Sequence, residues 1–137
     1  MNTVIDQAVQ VRLIATTPGP HAFPAMLHYQ PADPLAVRMS FPPEISLDGS
    51  AVDWAFAREL LDEGLRMPAG RGDVRVRPCG PDRTVMEFHA EEGIAMLQLR
   101  TADVRRFLAR SYEAVPAGGE AAHLGMEREL AELFGAA

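Results

Sequence analysis

A chain of 137 residues has the length of one domain and is long enough to bury a core. With 47% apolar and 23% charged residues it has an ordinary globular composition, and no apolar run approaches the roughly 20 residues that span a bilayer. A net charge of −6 argues against nucleic acid as the default partner, the absence of Lys among 13 basic residues excludes P-loop and Schiff-base lysines, and a single Cys excludes an internal disulfide. The opening residues lack the basic flank and apolar run of a secretion signal, so a reduced, cytoplasmic setting is expected.

In chain order, Val9, Val11, Leu13 and Ala15 alternate with polar neighbours and predict a first strand. Thr16–Pro24 holds three prolines and reads as a loop. Ala25, Leu27 and Tyr29 share one face of a second strand; Leu35, Val37, Met39 and Phe41 share one face of a third. Asp48-Gly49 between Ile45–Leu47 and Ser50–Val52 is a two-residue hairpin signal. Trp54, Ala57, Leu60, Leu61 and Leu65 then recur at helical spacing, with Asp53 as the expected N-cap and Gly64 as a left-handed glycine at the helix end. Trp54, the sole tryptophan, is expected to anchor the core where hairpin meets helix.

After a Gly- and Pro-containing link, Val74 and Val76 face one way and Arg71, Asp73, Arg75 and Arg77 the other, which predicts a half-buried strand. Met86 and Phe88 oppose Val85, Glu87 and His89 in the next strand. Ile94–Leu99 is apolar on both faces and needs cover on both, one side from a helix and the other from a second sheet or another subunit. Thr101 is the expected cap of a second helix with an apolar stripe of Val104, Phe107, Leu108 and Tyr112 and a polar face of Arg105, Arg106 and Arg110. Met126, Leu130, Leu133 and Phe134 mark a short third helix. Short turns imply antiparallel pairing, and strands grouped before and after a helix imply an α+β domain over residues 1–137, ordered β-β-β-β-α-β-β-β-α-α with about seven strands.

Reaction chemistry is not visible. The four histidines are scattered, a zinc site cannot be assembled from them, and there is no nucleophile elbow, P-loop or dinucleotide fingerprint, so neither cofactor nor metal is expected. The carboxylates of the first helix read as a solvated face with Arg58 and Asp62 near each other, and Cys79 as an unactivated turn residue. Two sets of arginines stand out as candidate partner-binding residues: Arg71, Arg75 and Arg77, and Arg105, Arg106 and Arg110. The first set would suit single-stranded nucleic acid only with interleaved aromatics, and Glu87 is placed to compete for it. Otherwise both sets are solvent faces, or, for the second, a docking surface for an acidic protein.

Certain segments resemble the SsgA-like proteins of sporulating actinobacteria. Trp54, Phe56, Ala57, Arg58, Leu60, Leu61, Gly64 and Leu65 follow a W-x-F-A-R-x-L-L-x-x-G-L pattern, and Pro68, Gly70 and Gly72 to Val76 follow P-x-G-x-G-D-V-R-V. Asp33-Pro34, Ala36-Val37 and Phe41 continue the likeness, as do Phe107-Leu108, Arg110, Val115-Pro116, Gly118, Glu120 and Glu129-Leu130. The resemblance, closest to the SsgB type, implies a non-enzymatic regulator of sporulation-specific division that recruits FtsZ to septum sites, with another SsgA-like protein as a possible further partner. It also implies a Whirly-like antiparallel fold assembling as a homo-oligomer, a trimer, and a cytoplasmic protein brought to the septum by its partners. The alternative is a single-strand nucleic-acid binder like the Whirly proteins, whose lysine-bearing motif is absent here.

Overall fold

The computed structural model of the chain describes residues 4–14, 22–42, 52–91, 93–122, 124 and 133. Seven strands form one antiparallel sheet: β1 (Ile5–Leu13), β2 (Ala22–Tyr29), β3 (Ala36–Phe41), β4 (Val52–Ala57), β5 (Val74–Cys79), β6 (Arg83–Ala90) and β7 (Gly93–Arg100). Helix α1 (Arg58–Gly64) lies between β4 and β5, and α2 (Thr101–Ala114) follows β7. The spatial order is β4-β3-β2-β1-β7-β6-β5, so two meanders meet where β1 pairs with β7.

Period-two alternation sets the faces. Ile5, Val9 and Val11 of β1, Ala25, Leu27 and Tyr29 of β2, and Val37, Met39 and Phe41 of β3 all point inward and are buried. The inner face is rolled. In a flat sheet β3 and β6 would lie four strand spacings apart, about 19 Å. Yet the rings of Phe41 and Phe88 meet edge-on with centroids 5.5 Å apart, and Trp54 of edge strand β4 packs 5.1 Å from Phe88. Helix α2 inserts Val104, Phe107 and Leu108 into the same core, and α1 packs against both β4 and β5, the two edges. Pro78 sits on edge strand β5, where a missing N–H does least harm to a ladder.

The residues read as the start of a helix are strand. Val52, Trp54 and Phe56 alternate with Asp53 and Ala55, and pairing with β3 runs from Phe41↔Val52 to Ala36↔Ala57. The segment fits both periods, and the available ladder partner decides. Asp53 is therefore no N-cap; α1 starts at Arg58, whose N–H bonds to Leu35 O at 2.8 Å. Trp54 does join the core, half-buried, but from a strand.

Gly64 is not left-handed; among the described glycines the positive φ values belong to Gly70, Gly80, Gly93 and Gly118. Its reason is close approach: a Cβ there would lie 2.4 Å from Cβ of Val76. Thr101 is no cap either. It is the first residue of α2, and its hydroxyl is buried against Thr84 Oγ1 at 2.8 Å. The Asp48-Gly49 hairpin and most of the third helix lie outside the described residues.

Candidate functional site

Helix α2 buries Val104, Phe107, Leu108 and Ser111 and presents Arg105, Arg106 and Arg110 to solvent, beside exposed Ala102, Ala109 and Glu113. Gln7 of β1 fixes the helix from below, donating from Nε2 to Asp103 O at 2.9 Å. Arg110 reaches only Gln7 Oε1, at 3.4 Å. Among the described residues, none of the three arginines meets a carboxylate. Arg106 and Arg110 stand at i,i+4, where like charges cost about 0.2–0.5 kcal/mol. The face carries three exposed arginines, with Glu113 beside them, on a chain of net charge −6.

The other arginine set is engaged within the sheet. Arg77 on β5 donates through one guanidinium nitrogen to Glu87 Oε2 on β6, and His89 Nε2 lies 3.1 Å from Glu87 Oε1. Burial works against the charge on Glu87, but the bonds from His89 and Arg77 outweigh it and hold the carboxyl below its ordinary range. Arg75 donates to Gly72 O at 3.3 Å, and Arg71 is exposed on the preceding turn. The neighbours on β6 are Val85, which is buried, Glu87 and His89, so among the described residues the row of stacking Phe, Tyr or Trp that a single-strand groove uses is not on this face. The competition expected from Glu87 is what the structure displays.

The largest departure from the sequence reading is Arg58. It is 2% exposed and does not pair with Asp62. Its guanidinium donates to Ser111 O at 3.1 Å, Val115 O at 2.7 Å and Glu120 Oε1 at 2.5 Å. The rings of Tyr29 and Tyr112 flank it, 5.0 and 4.3 Å from the guanidinium carbon. Burial raises both tyrosines above their ordinary value, opposed by the Arg58 charge. For Tyr112 its hydrogen bond to Asp62 Oδ2, 2.6 Å, adds to the rise. Glu120 is held below the usual carboxylate range, first by the hydrogen bond from Arg58. Asp62 instead faces Arg66 at 3.9 Å. The cluster is a structural tie between α1 and the segment after α2.

A second arrangement the sequence did not announce crosses the outer face of the sheet: Asp6, His28, Ser40 and Asp53, on β1, β2, β3 and β4. Its first three members stand in the order of a hydrolytic triad. The Ser40 hydroxyl, however, donates to Asp53, and β3 is paired on both sides, so its backbone N–H groups are not free to form an oxyanion site. These four residues lie far apart in sequence, and only strand register brings them together. Cys79 is exposed at the end of β5.

Comparison with known proteins places the chain. Residues 23–120 match the family model described as Streptomyces sporulation and cell division protein, SsgA. The sporulation-specific cell division protein SsgB of Kineococcus radiotolerans is 42% identical, with 96% of this chain and 80% of that protein aligned. SsgB of Streptomyces coelicolor is 36% identical over 98% of both chains. Among solved structures, an SsgA-like sporulation-specific cell division protein from Thermobifida fusca superimposes with a TM-score of 0.84 at 35% identity, covering 96% of each chain. SsgB, from a study of mutations that correlate with longitudinal cell division during sporulation of Streptomyces coelicolor, superimposes at 0.78 and 36% identity, covering 90% of this chain and 97% of that one. Of the segments that carry the resemblance, those from Asp33 to Phe41, from Trp54 to Val76 and from Phe107 to Glu120 fall within the matched region while Glu129-Leu130 lies beyond it, and the chain belongs to the SsgA family of sporulation and cell division proteins.

Proposed function

We propose that this protein is a non-enzymatic adaptor in sporulation-specific cell division, assembling as a homo-oligomer and recruiting the FtsZ machinery to septum sites through protein surfaces. Support for the division role comes from relatives named for it. The observation that carries the adaptor reading is the exposed arginine face of α2. Three cations without a described carboxylate partner, on one helix of an acidic protein, suit an acidic protein surface and leave a local charge conflict that folding alone does not require. The Arg71/Arg75/Arg77 ridge is the weaker surface, because Glu87 and the Gly72 carbonyl already take two of its members.

The test is co-sedimentation with FtsZ polymers. Wild-type protein is expected to pellet with them, and the triple variant Arg105→Glu, Arg106→Glu, Arg110→Glu to lose at least about 10-fold in affinity, as charge reversal at an interface does. Equal binding by both proteins removes the α2 face from the proposal. A gel shift with single-stranded DNA that fades steeply with salt, without FtsZ binding, would favour the nucleic-acid alternative.

A further inference from the structure

The line of polar side chains on the outer face has a proton requirement. Asp6 lies directly opposite His28 in register, and Ser40 directly opposite Asp53. His28 Nδ1 is 2.7 Å from Asp6 Oδ1, and His28 Nε2 is 2.8 Å from Ser40 Oγ. The Ser40 hydroxyl donates to Asp53 Oδ1. A hydroxyl has one proton, and an ionised carboxylate only accepts. With its proton directed to Asp53, Ser40 can only accept from His28, so Nε2 must carry a proton. Asp6 only accepts, so Nδ1 must carry another. Every contact in the line is therefore satisfied when His28 is an imidazolium. With one proton fewer, some pair of neighbours must face each other as two acceptors.

The charged groups around His28 suit that state. Asp6 comes from β1, Asp53 from β4 beyond Ser40, and Asp33 from the turn between β2 and β3. Against them stands Arg38 of β3, the register partner of His28. Asp6, His28, Asp33 and Arg38 line one shallow recess with Val4 and Gln30. Three carboxylates and one guanidinium complement a cation between them.

The geometry points to His28 as a proton-operated latch on edge strand β4: uptake of one proton completes the Asp6–His28–Ser40–Asp53 line, and its loss releases Asp53 and loosens β4 from β3. Strand β4 is the element exposed to this, since it is paired on one side only and runs straight into α1. The sign follows from linkage. The proton is bound by the closed line, so raising the pH favours its opening. The interval to scan is the one in which histidine side chains in general change charge, about pH 5 to 8.

Two measurements over that range test it. Ring ¹⁵N NMR of the wild-type protein is expected to show protons on both His28 nitrogens at the acidic end and loss of one on raising the pH. Hydrogen exchange, corrected for its intrinsic pH dependence, is expected to show protection of β4 amides falling about 10-fold over the same interval while β5 stays level, the size of one charge-assisted hydrogen bond. The level trace of β5 and the behaviour of His28→Gln and Ser40→Ala, in which the β4 trace should become flat, tie the effect to the line. A His28 ring with a single proton throughout, a level β4 trace in the wild type, or the same pH dependence in His28→Gln would overturn the proposal. Should the variants fail to fold, the wild-type ring protonation and the β4-to-β5 contrast decide it.

Discussion

At the scale of single residues, packing distance governs more than conformational freedom. Gly64 ends α1 with ordinary backbone angles, and its missing side chain lets the helix rest on β5. A Cβ would fall 2.4 Å from both Cβ and Cγ1 of Val76, closer than real atoms approach. Gly64→Ala should therefore destabilise by about 1–3 kcal/mol, the usual cost of overpacking. Val76→Ala should cost about as much alone by leaving a cavity, but the two changes together should cost clearly less than their sum. Urea unfolding of the four proteins gives the coupling; additive costs would refute the steric account.

Elements are joined by the buried guanidinium. Arg58 at the start of α1 satisfies the Ser111 and Val115 carbonyls at the end of α2 and the Glu120 carboxylate beyond it. Removing one partner of such a group strands the others, so Arg58→Ala should cost about 3–5 kcal/mol in a urea titration. Acid should act on the same tie. Glu120 titrates below its ordinary range, so it stabilises the fold above the unfolded carboxylate value of about 4.3 and loses that contribution as pH falls through the lower folded value. Glu120→Gln should be less stable than wild type at neutral pH, and the difference should narrow as the buffer is acidified. A gap that stays constant with pH would mean that the carboxylate charge is not what holds Arg58.

For the whole molecule, the open question in the sequence was what covers the second face of β7. Leu97 and Leu99 enter the core, whereas Ile94 remains 60% exposed on the outer face. Next to it Met96 is half-buried, and Ile14, 45% exposed, bonds to Met96 O through its N–H at 2.8 Å. This strip is where the homo-oligomer proposed above would find apolar contact. Light scattering should report a multiple of the 14.9 kDa chain mass, and Ile94→Glu should shift it toward the single chain. A monomeric wild-type protein would remove the assembly part of the proposal. None of the described helices is long and apolar enough to cross a membrane.

Much of this was written locally. The inward rows of β1, β2, β3, β5 and β6 follow from alternation, because a pleated strand sends successive side chains to opposite faces, except that Leu35, expected on the row of β3, precedes the strand and is 56% exposed. The stripe and arginine face of α2 follow from helical periodicity in the same way. Residues 53–57 read as the start of a helix, but their apolar residues satisfy both periods, and the free edge of β3 made them strand. Arg58 looked solvated because an arginine on an amphipathic helix normally is; it is buried because tyrosines and carbonyls distant in sequence converge on it. The Asp6–His28–Ser40–Asp53 line depends on the register of four strands. Register is a property of pairing between segments, so sequence periodicity alone could assign these residues to faces but could not make them neighbours.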